Sequence, residues 1–114
     1  MSSGVIGIFC ENTETKSRCS ISVRVEQTRD ELEKKFISEH PNVDIFLDKI
    51  FTFECKGNRS DIEVILRKVL CQTFGQYNQY KNWDNYLVED YDKFISFIEN
   101  LFHLIENIVD VREA

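Results

Sequence analysis

The sequence predicts an α+β domain: a small antiparallel three-stranded sheet with flanking helices, in the order β-β-α-β-α-α. Three observations carry this. Residues 20 to 25 alternate polar Ser20, Ser22 and Arg24 with apolar Ile21, Val23 and Val25 at the period of a strand. Two capping-box spacings, Thr28 with Glu31 and Ser60 with Glu63, each precede apolar residues at helical period. Between those helices lies VDIFLDKIFTFEC, rich in the β-branched and aromatic residues that favour a pleated surface.

Val5 to Glu11 is a short β-rich run, which forms a hairpin with 20–25 across the polar connection ENTETKSR. Thr28 opens a helix to about Glu39, with Leu32, Phe36 and Ile37 as its apolar face, and Pro41 with Asn42 ends it. In the third strand Val43, Ile45 and Leu47 share one face. Phe51, Phe53 and Cys55 continue that face only if the period holds through Asp48-Lys49, so a bulge or a solvent-facing lysine is expected there.

Lys56-Gly57-Asn58 reads as a turn into the helix IEVILRKVLCQTF. The polar stretch GQYNQYKNWDNYLVE carries Tyr77, Tyr80, Trp83 and Tyr86, more rings than a solvated linker needs, and is expected to pack on the domain. Asp90 caps a last helix, expected from Tyr91 to about Val109. That helix has two apolar stripes: Tyr91, Phe94, Ile95, Ile98, Phe102 and Ile105, and beside them Phe97, Leu101, Leu104, Ile108 and Val111. One stripe covers a small sheet. A second implies either a deeply wedged helix or an interface, in which Phe97, Leu101, Leu104 and Ile108 would meet a protein partner or a second copy in a homodimer.

The 114 residues fit one domain, with 42% hydrophobic and 12% aromatic residues to build a core. Residues 5–78 form its body and 79–114 an aromatic loop with an acidic amphipathic helix. No apolar run approaches the ~20 residues of a membrane span. The start lacks the basic and apolar regions of a signal peptide. Cys10, Cys19, Cys55 and Cys71 lack CxxC spacing and read as free thiols of an intracellular, reducing compartment, cytoplasmic or nuclear.

The formal net charge of −6 is all C-terminal: residues 83–114 hold eight acids against Lys93 and Arg112. A neutral body with an acidic end lowers the prior for nucleic-acid binding, which gains from a basic field. Abundant Asn, Lys, Ile and Phe beside one proline and one alanine suit an A+T-rich genome, such as those of many large DNA viruses.

Gly7-Ile8-Phe9 in the first strand and Ser20-Ile21-Ser22 in the second are separated by ten residues. With the element order, this pair of tripeptides resembles a degraded GIY-YIG nuclease module over about residues 5–78. The resemblance implies a site built from a tyrosine on each strand, an arginine on the first helix, a metal-binding glutamate on the second, and an asparagine beyond it. The implied reaction is phosphodiester hydrolysis with Mg²⁺ or Mn²⁺ stabilising charge on the phosphate. Phe9 stands in the first tyrosine's place without a hydroxyl, Ser20 in the second's, and Ser22 in that of the glycine. Arg29 lies one position from the expected arginine. Glu63 matches the glutamate and Asn78 the asparagine, although Glu63 also completes a capping box that needs no metal.

The leading expectation is therefore a non-catalytic GIY-YIG-like binding module without a cofactor, acting through protein–protein contact at its C-terminal helix. The alternative is a divergent Mg²⁺- or Mn²⁺-dependent DNA endonuclease using Glu63, Arg29 and Asn78, with Tyr77 or Tyr80 replacing the lost tyrosines. A third reading is a non-enzymatic nucleic-acid binder using Arg24, Arg29, Lys34, Lys35, Arg59, Arg67 and Lys68, residues otherwise read as a solvated face interleaved with acids.

Overall fold

The computed structural model describes residues 1–12, 19–42, 44–74 and 85–114, with the side chains of 19, 20 and 85 excepted. β1 (Ser2–Glu11) and β2 (Cys19–Glu26) pair as the expected hairpin, and β3 (Ile45–Cys55) lies on the other side of β1. Helix α1 (Arg29–Glu39) follows β2 and α2 (Arg59–Phe74) follows β3. The chain continues through β4 (Asn85–Val88), α3 (Tyr91–Leu104) and β5 (Ile108–Glu113). The sheet thus has five strands, ordered β4-β2-β1-β3-β5, every neighbouring pair antiparallel.

The α+β class is as expected; the three-stranded sheet and the element order are corrected. β4 falls within the polar aromatic stretch and is only four residues long. Its inward residues, Tyr86 and Val88, are buried while Leu87 between them is exposed, a period too short to stand out in sequence. At the C-terminus the last helix stops at Leu104, where the amide of cap residue Ile105 still donates to the Leu101 carbonyl (3.2 Å). The chain then turns, and the Lys56 amide donates to the Asn107 carbonyl (2.8 Å), which ties the turn to the end of β3. Ile108, Val109 and Val111 favour a strand there.

β1 is buried on both faces, which explains its unbroken apolar run. Val5 and Phe9 pack with Leu32, Phe36 and Ile50 under α1. Ile6, Ile8 and Cys10 face the larger core with α2 and α3. The bulge expected near Asp48-Lys49 is present: Ile8 pairs with Lys49 but Phe9 with Leu47. The extra residue, Asp48, reverses the phase of β3. Ile45 and Leu47 therefore join the α1 side, while Phe51, Phe53 and Cys55 join the other core. Val43 lies outside the described residues.

Helix starts follow local chemistry. Thr28 Oγ1 accepts from the Glu31 amide (3.2 Å) and Asp90 Oδ1 from the Lys93 amide (3.2 Å). For α2 the expected cap is corrected: the helix begins before Ser60, and Asn58 Oδ1 accepts from the Ser60 amide (3.1 Å). Gly57, at φ +82°, supplies the left-handed turn out of β3 that a side chain would strain. Among the described residues no helix is long and apolar enough to cross a membrane.

Candidate functional site

The register of the β1–β2 hairpin sets Phe9 opposite Ser22 and Gly7 opposite Arg24. Positions two apart on a strand share a face, so Ser22 and Arg24 project on the same side as Phe9, the side covered by α1. There the Phe36 ring stacks on Phe9 with centroids 3.9 Å apart and planes at 16°. His40, at the C-cap of α1, lies tilted against Phe36 at 4.7 Å, and its Nδ1 is 2.9 Å from the Phe36 carbonyl.

The Arg24 guanidinium sits 6.0 Å from the Phe36 ring centroid, within cation–π range. It also pairs with Glu39 of α1 at 3.3 Å and approaches Glu63 of α2 at 4.0 Å. Glu63 in turn pairs with Arg67 one turn along α2 at 3.5 Å. Among the described residues, two guanidinium groups thus meet two carboxylates. With its side chain only 15% exposed, Arg24 is the most shielded member, which raises the weight of its pairing over that of a surface ion pair.

The resemblance positions fall as follows. Gly7, Ile8, Phe9, Ile21 and Ser22 are all buried in the sheet. The Phe9 position is sealed under α1 at 1% exposure. Ser22 is fully buried, and its hydroxyl has no hydrogen-bond partner among the described residues. Arg29 opens α1, is 64% exposed, and pairs with Glu33 at 2.8 Å. The arginine that the fold brings to Glu63 is Arg24. Asn78, Tyr77, Tyr80 and the Ser20 side chain lie outside the described residues.

Glu63 is not held by the capping box, since Asn58 caps α2; the arginines hold it instead. A carboxylate beside two guanidinium groups is a poorer ligand for Mg²⁺ or Mn²⁺, because their positive charge repels a second cation. Among the described residues no group of three or more His, Cys, Asp or Glu side chains is placed to hold a metal ion.

Arg24, Glu39, Phe36 and His40 were not readable as one cluster. The alternation of Ser20, Ser22 and Arg24 was visible, but a polar face on a strand reads as solvent-facing, and only the fold shows α1 laid across it. On α3, Phe97 is half-buried and meets Phe74 edge-on at 5.3 Å, and Leu101 is buried. Leu104 is 80% exposed, and Ile108 lies on β5, half-buried.

No family model matches the chain, and neither a curated protein nor a solved structure matches it.

Proposed function

We propose that this chain is a non-catalytic binding module, GIY-YIG-like in its β-β-α-β-α portion, that works through protein–protein contact. One observation carries the reading: where the resemblance calls for a catalytic tyrosine, Phe9 lies sealed beneath Phe36. That position has neither a hydroxyl to move a proton nor an opening through which a phosphodiester could reach it. The Arg24–Glu39–Glu63–Arg67 cluster supports the same reading, since opposite charges face one another within it. The surface offered to a partner is the end of the molecule where exposed Leu104 stands near edge strand β5.

A second reading, a divergent Mg²⁺- or Mn²⁺-dependent endonuclease, draws on the approach of Glu63 to a guanidinium on the motif hairpin. The test is cleavage of supercoiled plasmid with Mg²⁺ or Mn²⁺ by the wild type and by Glu63→Gln. We expect intact plasmid with both, and no retardation of it in a gel. Cleavage by the wild type that Glu63→Gln loses would replace the binding-module reading with the nuclease. Retardation that disappears steeply with added salt would instead favour the non-enzymatic nucleic-acid binder.

A further inference from the structure

β5 ends the sheet on its side, and among the described residues no strand lies beyond it. Its backbone phase is fixed by the pairing with β3, in which Thr52 faces Arg112 and Phe53 faces Val111. The Ala114 amide donates to the Ile50 carbonyl (2.9 Å), and the Arg112 carbonyl accepts from Thr52 Oγ1 (3.5 Å). Antiparallel ladders alternate, so Arg112 and Ala114 turn their peptide groups toward β3 while Val111 and Glu113 turn theirs outward. An outward row of amides and carbonyls is a template for another strand.

The side chains indicate which strand fits. Asp110 and Arg112 lie on one face, both exposed, with Arg112 Nε 3.2 Å from Asp110 Oδ2. Natural edges are protected by charge, and a run of one sign would repel any copy of itself. Here the two signs are two residues apart, the spacing at which a strand is complementary to its own antiparallel image.

We propose that β5 pairs antiparallel with β5 of a second copy about a two-fold axis at Val111, joining two sheets into one of ten strands. In this register the outward peptide groups of the two Val111 residues exchange both backbone hydrogen bonds. Asp110 of each copy faces Arg112 of the other at the closer, non-hydrogen-bonded positions, where opposite charges attract best. Moving the axis one residue either way while keeping outward groups paired sets Asp110 against Asp110 or Arg112 against Arg112. Charge therefore selects the register. On the α3 side Val111 lines an open groove with Phe51 and Phe102, and with Glu99, His103 and Glu113, so the second Val111 arrives at a groove of mixed polarity that holds two aromatic rings. Leu104, 80% exposed, and Val109, 49% exposed, stand at the same end of the molecule.

The inference names the partner at the surface offered above and rests on the protein-contact reading for that surface alone. Its test is the mass in solution, which does not depend on plasmid cleavage. Sedimentation equilibrium of the full chain should give twice the 13.5 kDa chain mass, with a concentration-dependent monomer. Asp110→Arg and Arg112→Asp should each weaken the dimer at least about tenfold, since each sets like charges in opposition at both ends of the pair. The double variant Asp110→Arg/Arg112→Asp restores opposite charges and should restore the dimer, with circular dichroism showing all three folded. A wild type that stays monomeric to about 100 µM, too weak for a working dimer, overturns the proposal. So does a dimer indifferent to the single variants, or a double variant no better than the singles.

Discussion

Phe9 of β1 and Phe36 of α1 stack nearly parallel, centroids 3.9 Å apart, and with Leu32 they join helix to sheet on this face. Only Leu32 and Phe36 of α1 are buried, so the attachment has little redundancy. Phe9→Ala and Phe36→Ala should each cost about 3–5 kcal/mol, the usual loss for emptying a phenylalanine site. Their double variant should cost clearly less than the sum, because the two rings share one contact. Urea unfolding at unchanged slope measures all three, and additive costs would refute the shared contact.

Gly7 has a structural reason independent of any substrate. A Cβ there would stand 2.3 Å from Leu32 Cδ2 and 3.0 Å from Leu47 Cδ1, and Leu32 is itself buried at 1%. Gly7→Ala should destabilise by about 1–3 kcal/mol through overpacking. On a Leu32→Ala background the same change should cost far less, since the clashing methyl is gone. Equal costs on both backgrounds would place the constraint elsewhere.

Arg24 is the hub of its cluster, and its loss should matter more than that of either carboxylate. Arg24→Met keeps most of the stem but leaves Glu39 and Glu63 without their common cation; with both acids part-exposed, we expect about 1–2 kcal/mol. Glu63→Gln should cost less than about 1 kcal/mol, because Arg24 keeps Glu39. The gap should narrow in high salt, which screens the exposed members. A larger penalty for Glu63→Gln than for Arg24→Met would overturn the hub.

Tyr91, at the start of α3, donates its hydroxyl hydrogen bond to Asp48, the residue left over by the β3 bulge. The residue that breaks the period of β3 is thus tied to the start of α3. Tyr91→Phe removes only the donor and should cost about 1.5–3 kcal/mol, the range for a bond to a charged group. Thermal unfolding of this variant beside Asp48→Asn checks it. A Tyr91→Phe protein as stable as the parent would show the bond to be dispensable.

The elements legible in the sequence were those whose period survived over many residues: the β1–β2 hairpin, α1, α2, β3 with its bulge, and the start of α3. β4 escaped because two inward side chains, Tyr86 and Val88, make too short a pattern within a polar stretch. β5 was absorbed into α3 because Leu101, Leu104, Ile108 and Val111 keep a helical spacing across the break at Ile105. The cluster around Arg24 was hidden for a different reason. A strand shows which residues share a face but not what covers that face, and the helix that supplies Phe36 and Glu39 crosses it only in three dimensions. The same limit made Ser60, not Asn58, the expected cap of α2, since both stand at permitted spacings.

Cys55, at the end of β3, should betray the packing of the larger core through its acidity. Its side chain is fully buried, and loss of solvent pushes its thiol pKa up, partly countered by the positive charge of Arg59. The sign follows. The folded chain holds this proton more tightly than the unfolded chain, so the contribution is complete below the ordinary thiol pKa. It is lost as alkaline pH ionises the thiol in the unfolded state first. Stability should therefore fall between about pH 8 and 10 more steeply in the wild type than in Cys55→Ala, which lacks the group. In the folded protein at pH 8, iodoacetamide should reach part-exposed Cys71 well before Cys55 or buried Cys10. If Cys55→Ala leaves the alkaline slope unchanged, or Cys55 alkylates as fast as Cys71, then the end of β3 is open to solvent and the junction with β5 is looser than the structure has it.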